Sequence, residues 1–117
     1  MIQSVQAATT ALHAFQKKMD VTANNIANVN TDGFKKSRTN LMENPNGGVQ
    51  ARIQKIETPG VPKEAVENGA VVEVSSSNVD LAEELTETIP SQAGYNANLK
   101  TLKVADEMLG SLLDIVG

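Results

Sequence analysis

Three groups of side chains in this chain have types and spacings that could do chemistry, and the densest is made of amides. Asn24, Asn25, Asn28 and Asn30 fall within seven residues, in the run Ala23-Asn24-Asn25-Ile26-Ala27-Asn28-Val29-Asn30-Thr31-Asp32-Gly33-Phe34-Lys35. An amide is neither a base nor a nucleophile; it offers two donors and an acceptor in a fixed geometry. Such side chains compete with the backbone and weaken a helix unless something satisfies them. On a helix Asn24 and Asn28 share one edge, and Asn25 lies round the side. Two readings follow from this run alone. One is a frayed helix end leading into a solvated loop; the other is a helix end whose amides pair with another helix or subunit.

The second group is acidic. Glu83, Glu84, Glu87 and Asp106 are spread along one segment with no matching base, nucleophile or phosphate-binding loop, which argues against an enzyme. The third is the basic cluster Lys35-Lys36-Ser37-Arg38, which lacks an aromatic platform for stacking bases and sits in a chain of net charge −4. It reads as a solvated or subunit-facing loop, with no nucleic-acid partner implied. His13 has no second ligand near it in sequence and reads as a boundary or surface histidine, not a metal ligand or a base. No cofactor, metal or small-molecule substrate is expected.

The elements that must position these groups are written in the apolar spacing. Val5, Leu12, Met19 and Ile26 recur every seven residues, and Ala8, Phe15, Thr22 and Val29 follow three places behind, so a helix with a narrow apolar seam is predicted up to residue 30. Gly33, after the turn signal Asn30-Thr31-Asp32, is free to take positive φ at the helix stop. The periodicity then breaks. Asn44-Pro45-Asn46-Gly47-Gly48 and Thr58-Pro59-Gly60-Val61-Pro62 are turns, and Val49 to Ile56 and Gly69 to Val74 are short strand candidates that could pair as one ribbon. Two strands alone are marginal in water and need support.

Helical spacing returns at Asp80. Asp80 and Glu83 fit a capping box, and a second seam runs through Leu81, Leu85, Thr88, Gln92, Tyr95, Leu99, Leu102, Asp106, Leu109, Leu113 and Val116. Pro90 lacks a backbone donor, so a kink between Thr86 and Pro90 is expected, giving one bent helix or two consecutive ones. The fold class is therefore mainly α. Terminal helices over 1–30 and 80–117 pair as an antiparallel coiled coil in one axial-type domain, and 31–79 forms a loop-rich connector with a possible two-stranded ribbon. Each helix keeps an uncovered side, which further helices from neighbouring copies would complete.

Composition fits a chain ordered by its neighbours. The 117 residues allow one domain at most, and only 3% are aromatic: Phe15, Phe34 and Tyr95. There is no cysteine, so disulfides and thiolate metal sites are excluded. No apolar run is long enough to span a bilayer, and the first residues lack the basic-then-apolar pattern of a cleaved signal peptide.

The motifs Ala11-Leu12-x-Ala14-x-Gln16-x-x-Met19-Asp20-Val21-x-Ala23-Asn24-Asn25-Ile26-Ala27-Asn28-Val29-Asn30-Thr31-x-Gly33-Phe34-Lys35 and Ser77-Asn78-Val79-Asp80-Leu81-x-x-Glu84 resemble the opening and closing signatures of the bacterial flagellar rod and hook proteins. The second continues through Gln92-x-x-Tyr95-x-Ala97-Asn98 to Asp106-x-Met108-Leu109, and the chain is most similar to the small proximal rod proteins. The resemblance implies terminal helices that pack with copies of themselves and other axial proteins into a hollow shaft. It also implies passage through the flagellar export apparatus without a cleaved signal, to the periplasmic rod of the basal body. It places Asn24, Asn25, Asn28, Gly33, Phe34, Gln92, Tyr95 and Asn98 on the assembly surface. The apolar seams add Leu12, Phe15, Met19, Ile26, Leu99, Leu102 and Leu109. Pro90 falls where the family runs an uninterrupted helix, and the middle is shorter than in the usual rod proteins.

The function expected is that of a structural, self-assembling rod component. The alternative is a cytoplasmic helical adaptor that binds rod subunits or the export machinery.

Overall fold

The computed structural model describes residues 2–116. Two long helices, α1 (Ile2–Ala27) and α2 (Leu81–Val116), pack against each other. Between them lie β1 (Ser37–Glu43), β2 (Val49–Lys55), β3 (Pro62–Glu67) and β4 (Ala70–Ser75). The helices meet in opposite chain senses, because Asn25 touches Glu84, Lys18 touches Glu87 and Phe15 sits against Gly94.

The connector holds two antiparallel ribbons instead of one. β1 pairs with β2, from Ser37 opposite Lys55 to Glu43 opposite Val49, and β3 pairs with β4, from Pro62 opposite Ser75 to Glu67 opposite Ala70. The two segments expected to pair with one another therefore belong to different ribbons. Turn chemistry is the reason. Asn68 and Gly69 take φ of 51° and 80°, and this two-residue turn matches the natural twist of a hairpin, so Ala70–Ser75 folds back on its immediate predecessor. The Asn44 to Gly48 turn does the same for the first ribbon, with Gly47 N–H donating to the Asn44 carbonyl (2.8 Å) and Asn44 N–H to the Gly48 carbonyl (3.0 Å).

α2 is a single element that passes through Pro90. A residue with an N–H there would bond the Thr86 carbonyl; proline cannot. Around the gap the hydroxyls of Thr86, Thr88 and Ser91 donate to the carbonyls of Ala82, Leu85 and Glu87 at 2.7, 2.6 and 2.8 Å. Asp80 caps the helix, its Oδ1 accepting from the N–H groups of Ala82 (3.0 Å) and Glu83 (3.4 Å). Only half of the expected capping box forms, because the Glu83 carboxylate turns to Arg38 and Lys36.

Little is buried. The buried apolar residues are Ala8, Ala11, Ala14 and Ala105, none larger than alanine. The radius of gyration is 20.7 Å and the extents are 78 × 24 × 22 Å, whereas a compact chain of this length would have a radius near ~13 Å. The accessible surface of 7993 Å² likewise exceeds the roughly 6,100 Å² of a compact protein of the same mass. Among the described residues no helix is long and apolar enough to cross a membrane.

Candidate assembly interface

Where the two helices and the connector converge, the chain ties a polar knot. Asn25 is 1% exposed, and its amide does three jobs. Nδ2 donates to the Ser37 carbonyl (2.8 Å) and to Glu84 Oε2 (3.1 Å), while Oδ1 accepts from Ser37 N–H (3.0 Å). The side chain thus pairs with the first residue of β1 as a neighbouring strand would, and reaches across to α2. Glu84, also 1% exposed, leaves its Oε1 without a partner in the chain, as does the buried Thr39 Oγ1. Each such orphan costs about 1–3 kcal/mol.

Asn78 fastens the other side of the knot. Its Oδ1 accepts from Lys36 N–H (2.6 Å), and its Nδ2 donates to the carbonyls of Ile56 and Thr58 (both 2.8 Å). Ser77, buried beside it, donates to the Val29 carbonyl at 2.7 Å. The basic cluster belongs here too. Arg38 and Lys36 both pair with Glu83, and Lys18 pairs with Glu87 across the helix seam at 3.3 Å.

The amides are therefore largely satisfied within one chain. Asn25 is enclosed. Asn28 is half-buried and caps its own helix end, donating to the Asn24 carbonyl (2.9 Å) and accepting from the Thr31 hydroxyl (3.1 Å). Asn98 donates to the Gly94 carbonyl one turn back (2.8 Å). Asn24 is exposed. Gly33 is exposed, with the expected positive φ of 73°, and its N–H donates to the Ser75 carbonyl (2.8 Å). Phe34 is half-buried beside it.

The helix seam is heptad-spaced but rotated from the apolar stripe. On α1 one column is as expected, with Ala8 and Thr22 buried and Phe15 half-buried. The other contact column is Ala11, Lys18 and Asn25, while Leu12, Met19 and Ile26 stay half-exposed. On α2 the contact column is Glu84, Ser91, Asn98 and Ala105, with Tyr95 and Leu102 half-buried at its edge. Gln92, Leu99 and Leu109 from the predicted seam lie in the open. Small residues explain the rotation, since they let the backbones approach closely. A Cβ at Gly94 would lie 2.4 Å from the tip of the Phe15 ring. Hydropathy spacing could not find this column, because three of its four members are polar; only their spacing of seven marks them.

Most of the large apolar residues of α2 are consequently left exposed. Beyond Ala105 every described residue is exposed, including Met108, Leu109, Leu112 and Leu113, the last at 71%. Monomeric proteins rarely leave so continuous an apolar surface uncovered. Among the described residues there is no group of three His, Cys, Asp or Glu side chains arranged to hold a metal.

The fold is thus a thin helix pair with an alanine core, a polar knot and a bare leucine-rich flank. Comparison with known proteins gives the family. A model described as flagella basal body rod protein matches residues 6–35, and one described as flagellar basal body rod FlgEFG protein C-terminal matches residues 72–115. The chain is 49% identical over 43 residues to the flagellar basal-body rod protein FlgG of Bacillus subtilis, and 49% identical over 43 residues to the flagellar hook protein FlgE of Borreliella burgdorferi. It is 55% identical over 38 residues to FlgG of Buchnera aphidicola. These stretches cover 37%, 37% and 32% of the chain but only 16%, 10% and 15% of the relatives' own lengths. The two models together match more than half of the chain, which belongs to the flagellar rod and hook protein family.

Proposed function

We propose that this chain is a self-assembling subunit of the basal-body rod, packing through its two terminal helices against copies of itself and other axial proteins. The observation that carries this reading is the division of labour on α2. Small and polar residues pack against α1, and the large apolar ones beyond Ala105 are left exposed. Helices from neighbouring subunits, laid in the same knobs-into-holes fashion as an antiparallel coiled coil, would cover them. Of the expected interface residues, Leu12, Met19, Ile26, Gln92, Leu99, Leu102 and Leu109 remain available for such contacts, with Asn24, Gly33 and Phe34 at the knot end. The matches to rod proteins support the rod reading; passage through the flagellar export apparatus to a periplasmic rod is part of the same proposal.

The test is solution mass measured against concentration, with helicity followed at the same points. Mass should climb with concentration, and helicity with it, as α2 gains cover. A chain that stays monomeric at high concentration overturns the reading. In cells the protein should co-purify with basal bodies; strict retention in the cytosol would instead favour an adaptor.

A further inference from the structure

Among the described residues the β3–β4 ribbon packs against no other element; it is tied to the rest by the Lys63 to Asp32 ion pair (2.6 Å) and by the Gly33 N–H at the Ser75 carbonyl. An isolated two-stranded ribbon is marginal in water, and one face of this one is arranged against itself. Glu64 lies directly opposite Glu73, and two residues along Val66 lies opposite Val71. Like charges set opposite each other destabilise a ribbon, and neither glutamate has an ion-pair partner among the described residues. The valines are 72% and 66% exposed. This face calls for a surface that is basic and apolar at once.

The same chain carries such a surface. Lys18, Lys36, Arg38, Lys55 and Lys63 are engaged by acidic side chains. Of the other cations, only Lys100 and Lys103 lie within one helical turn of each other, beside the exposed Leu99 and Val104. At 100° per residue these four residues occupy the side of α2 opposite Asn98 and Ala105, so they face away from α1. Glu107, one turn further on, closes the basic patch. Lys100 and Val104 stand about 6 Å apart along the helix axis, and Glu64 and Val66 stand about 7 Å apart along the strand. Charge and spacing therefore match.

We propose that the Glu64/Glu73 face of the β3–β4 ribbon docks on the Lys100/Lys103 flank of α2 in a second copy of this chain. Contact within one copy is ruled out by reach. The ribbon springs from the segment before Leu81, roughly 30 Å along the helix from Lys100, and six strand residues span about 20 Å. Two different surfaces meet, so the contact is heterologous and can repeat from copy to copy without closing on itself. The proposal rests on the self-association proposed above and adds which surface of one copy meets which surface of the next.

The test is a charge swap read by sedimentation against concentration. Glu73→Lys alone and Lys103→Glu alone should each raise the concentration needed for half-assembly roughly tenfold, since each places like charges together. The double variant should return to within about threefold of the native chain. Glu73→Lys also gives Glu64 an opposite charge across the ribbon, so its monomer should be no less stable than the native one, which separates lost contact from lost folding. As the native chain has no cysteine, copies carrying Val71→Cys mixed with copies carrying Val104→Cys should form a mixed disulfide on oxidation. Single variants that assemble like the native chain, or a double variant no better than the worse single, overturn this contact and leave the assembly reading standing. A native chain that never associates overturns both.

Discussion

The two ends of the helix pair are built from opposite chemistry. At the knot, Asn25, Ser37, Glu84, Ser77 and Asn78 bind three parts of one chain through directional hydrogen bonds, and almost nothing apolar is buried there. At the far end of α2, from Val104 to Val116, the large apolar side chains are all exposed. Hydrogen bonds are directional, and each is worth only about 0.5–1.5 kcal/mol net. They suit a joint whose geometry must be fixed. Apolar contact is non-directional and scales with area, which suits a surface covered by successive neighbours. In this molecule the amides hold the chain together, and the leucines are left for the assembly proposed above.

The contrast breaks most sharply at Asn25. Asn25→Asp keeps the side-chain shape but removes both donated hydrogen bonds and sets a second carboxyl group about where Nδ2 lies 3.1 Å from Glu84 Oε2. Disrupting a buried polar pair in this way costs about 3–5 kcal/mol, to be read as a fall in the urea midpoint of the monomer. If the monomer is indifferent to the change, the knot is not what joins the helices to the connector.

At the open end the order of effects reverses. Leu109→Ser with Leu113→Ser should leave monomer stability within about 0.5 kcal/mol, because both side chains are already exposed. Assembly should weaken by more than about tenfold in concentration, since covering each leucine contributes about 1.5–3 kcal/mol. A monomer destabilised by these changes would mean that the flank serves the fold, and the comparison would fail.

Pro90 lies between the two regions. Pro90→Ala supplies the N–H that the Thr86 carbonyl lacks, and should raise the thermal midpoint by the equivalent of about 1–3 kcal/mol. Small-angle scattering should show a longer, straighter particle if the proline bends α2. Unchanged dimensions would remove the bend and leave only the missing hydrogen bond.

How much of this could be read in the chain itself follows from the same chemistry. The start of α2 was legible because it is local, with Asp80 capping where its spacing said it would; Gly33 takes the expected positive φ, but α1 stops at Ala27, short of the expected residue 30. The long apolar periods of the termini announced two helices. One contact column of α1, Ala8, Phe15 and Thr22, was legible too; the rest of the seam was not, because Ala11, Asn25, Glu84 and Ser91 are invisible to a search for large apolar residues. The stripe that such a search finds on α2 is mostly the outer surface. The second ribbon was written in Asn68-Gly69, a short-range hairpin signal that outranks the longer pairing of Val49–Lys55 with Ala70–Ser75. Asn25 was marked as important, but nothing local says that the partner of a lone amide is a strand beginning twelve residues later or a carboxyl group 59 residues away.

The smallest effect belongs to Asn28, and it decides whether the contrast holds for all the asparagines or only for the buried one. Its amide donates along its own helix to the Asn24 carbonyl, and its oxygen takes the Thr31 hydroxyl; both bonds are exposed to solvent. Water can replace each of them, so Asn28→Leu should cost the monomer less than about 1 kcal/mol, far below the loss at Asn25. If amides serve only the subunit, assembly should be equally indifferent, with the mass-against-concentration curve of Asn28→Leu overlying the native one. A curve displaced severalfold, with the monomer still intact, would show that the exposed edge of Asn24 and Asn28 also meets a neighbour. The boundary between fold and assembly would then run through the asparagine cluster itself, between Asn25 on the inside and Asn28 on the outside of the same helical turn.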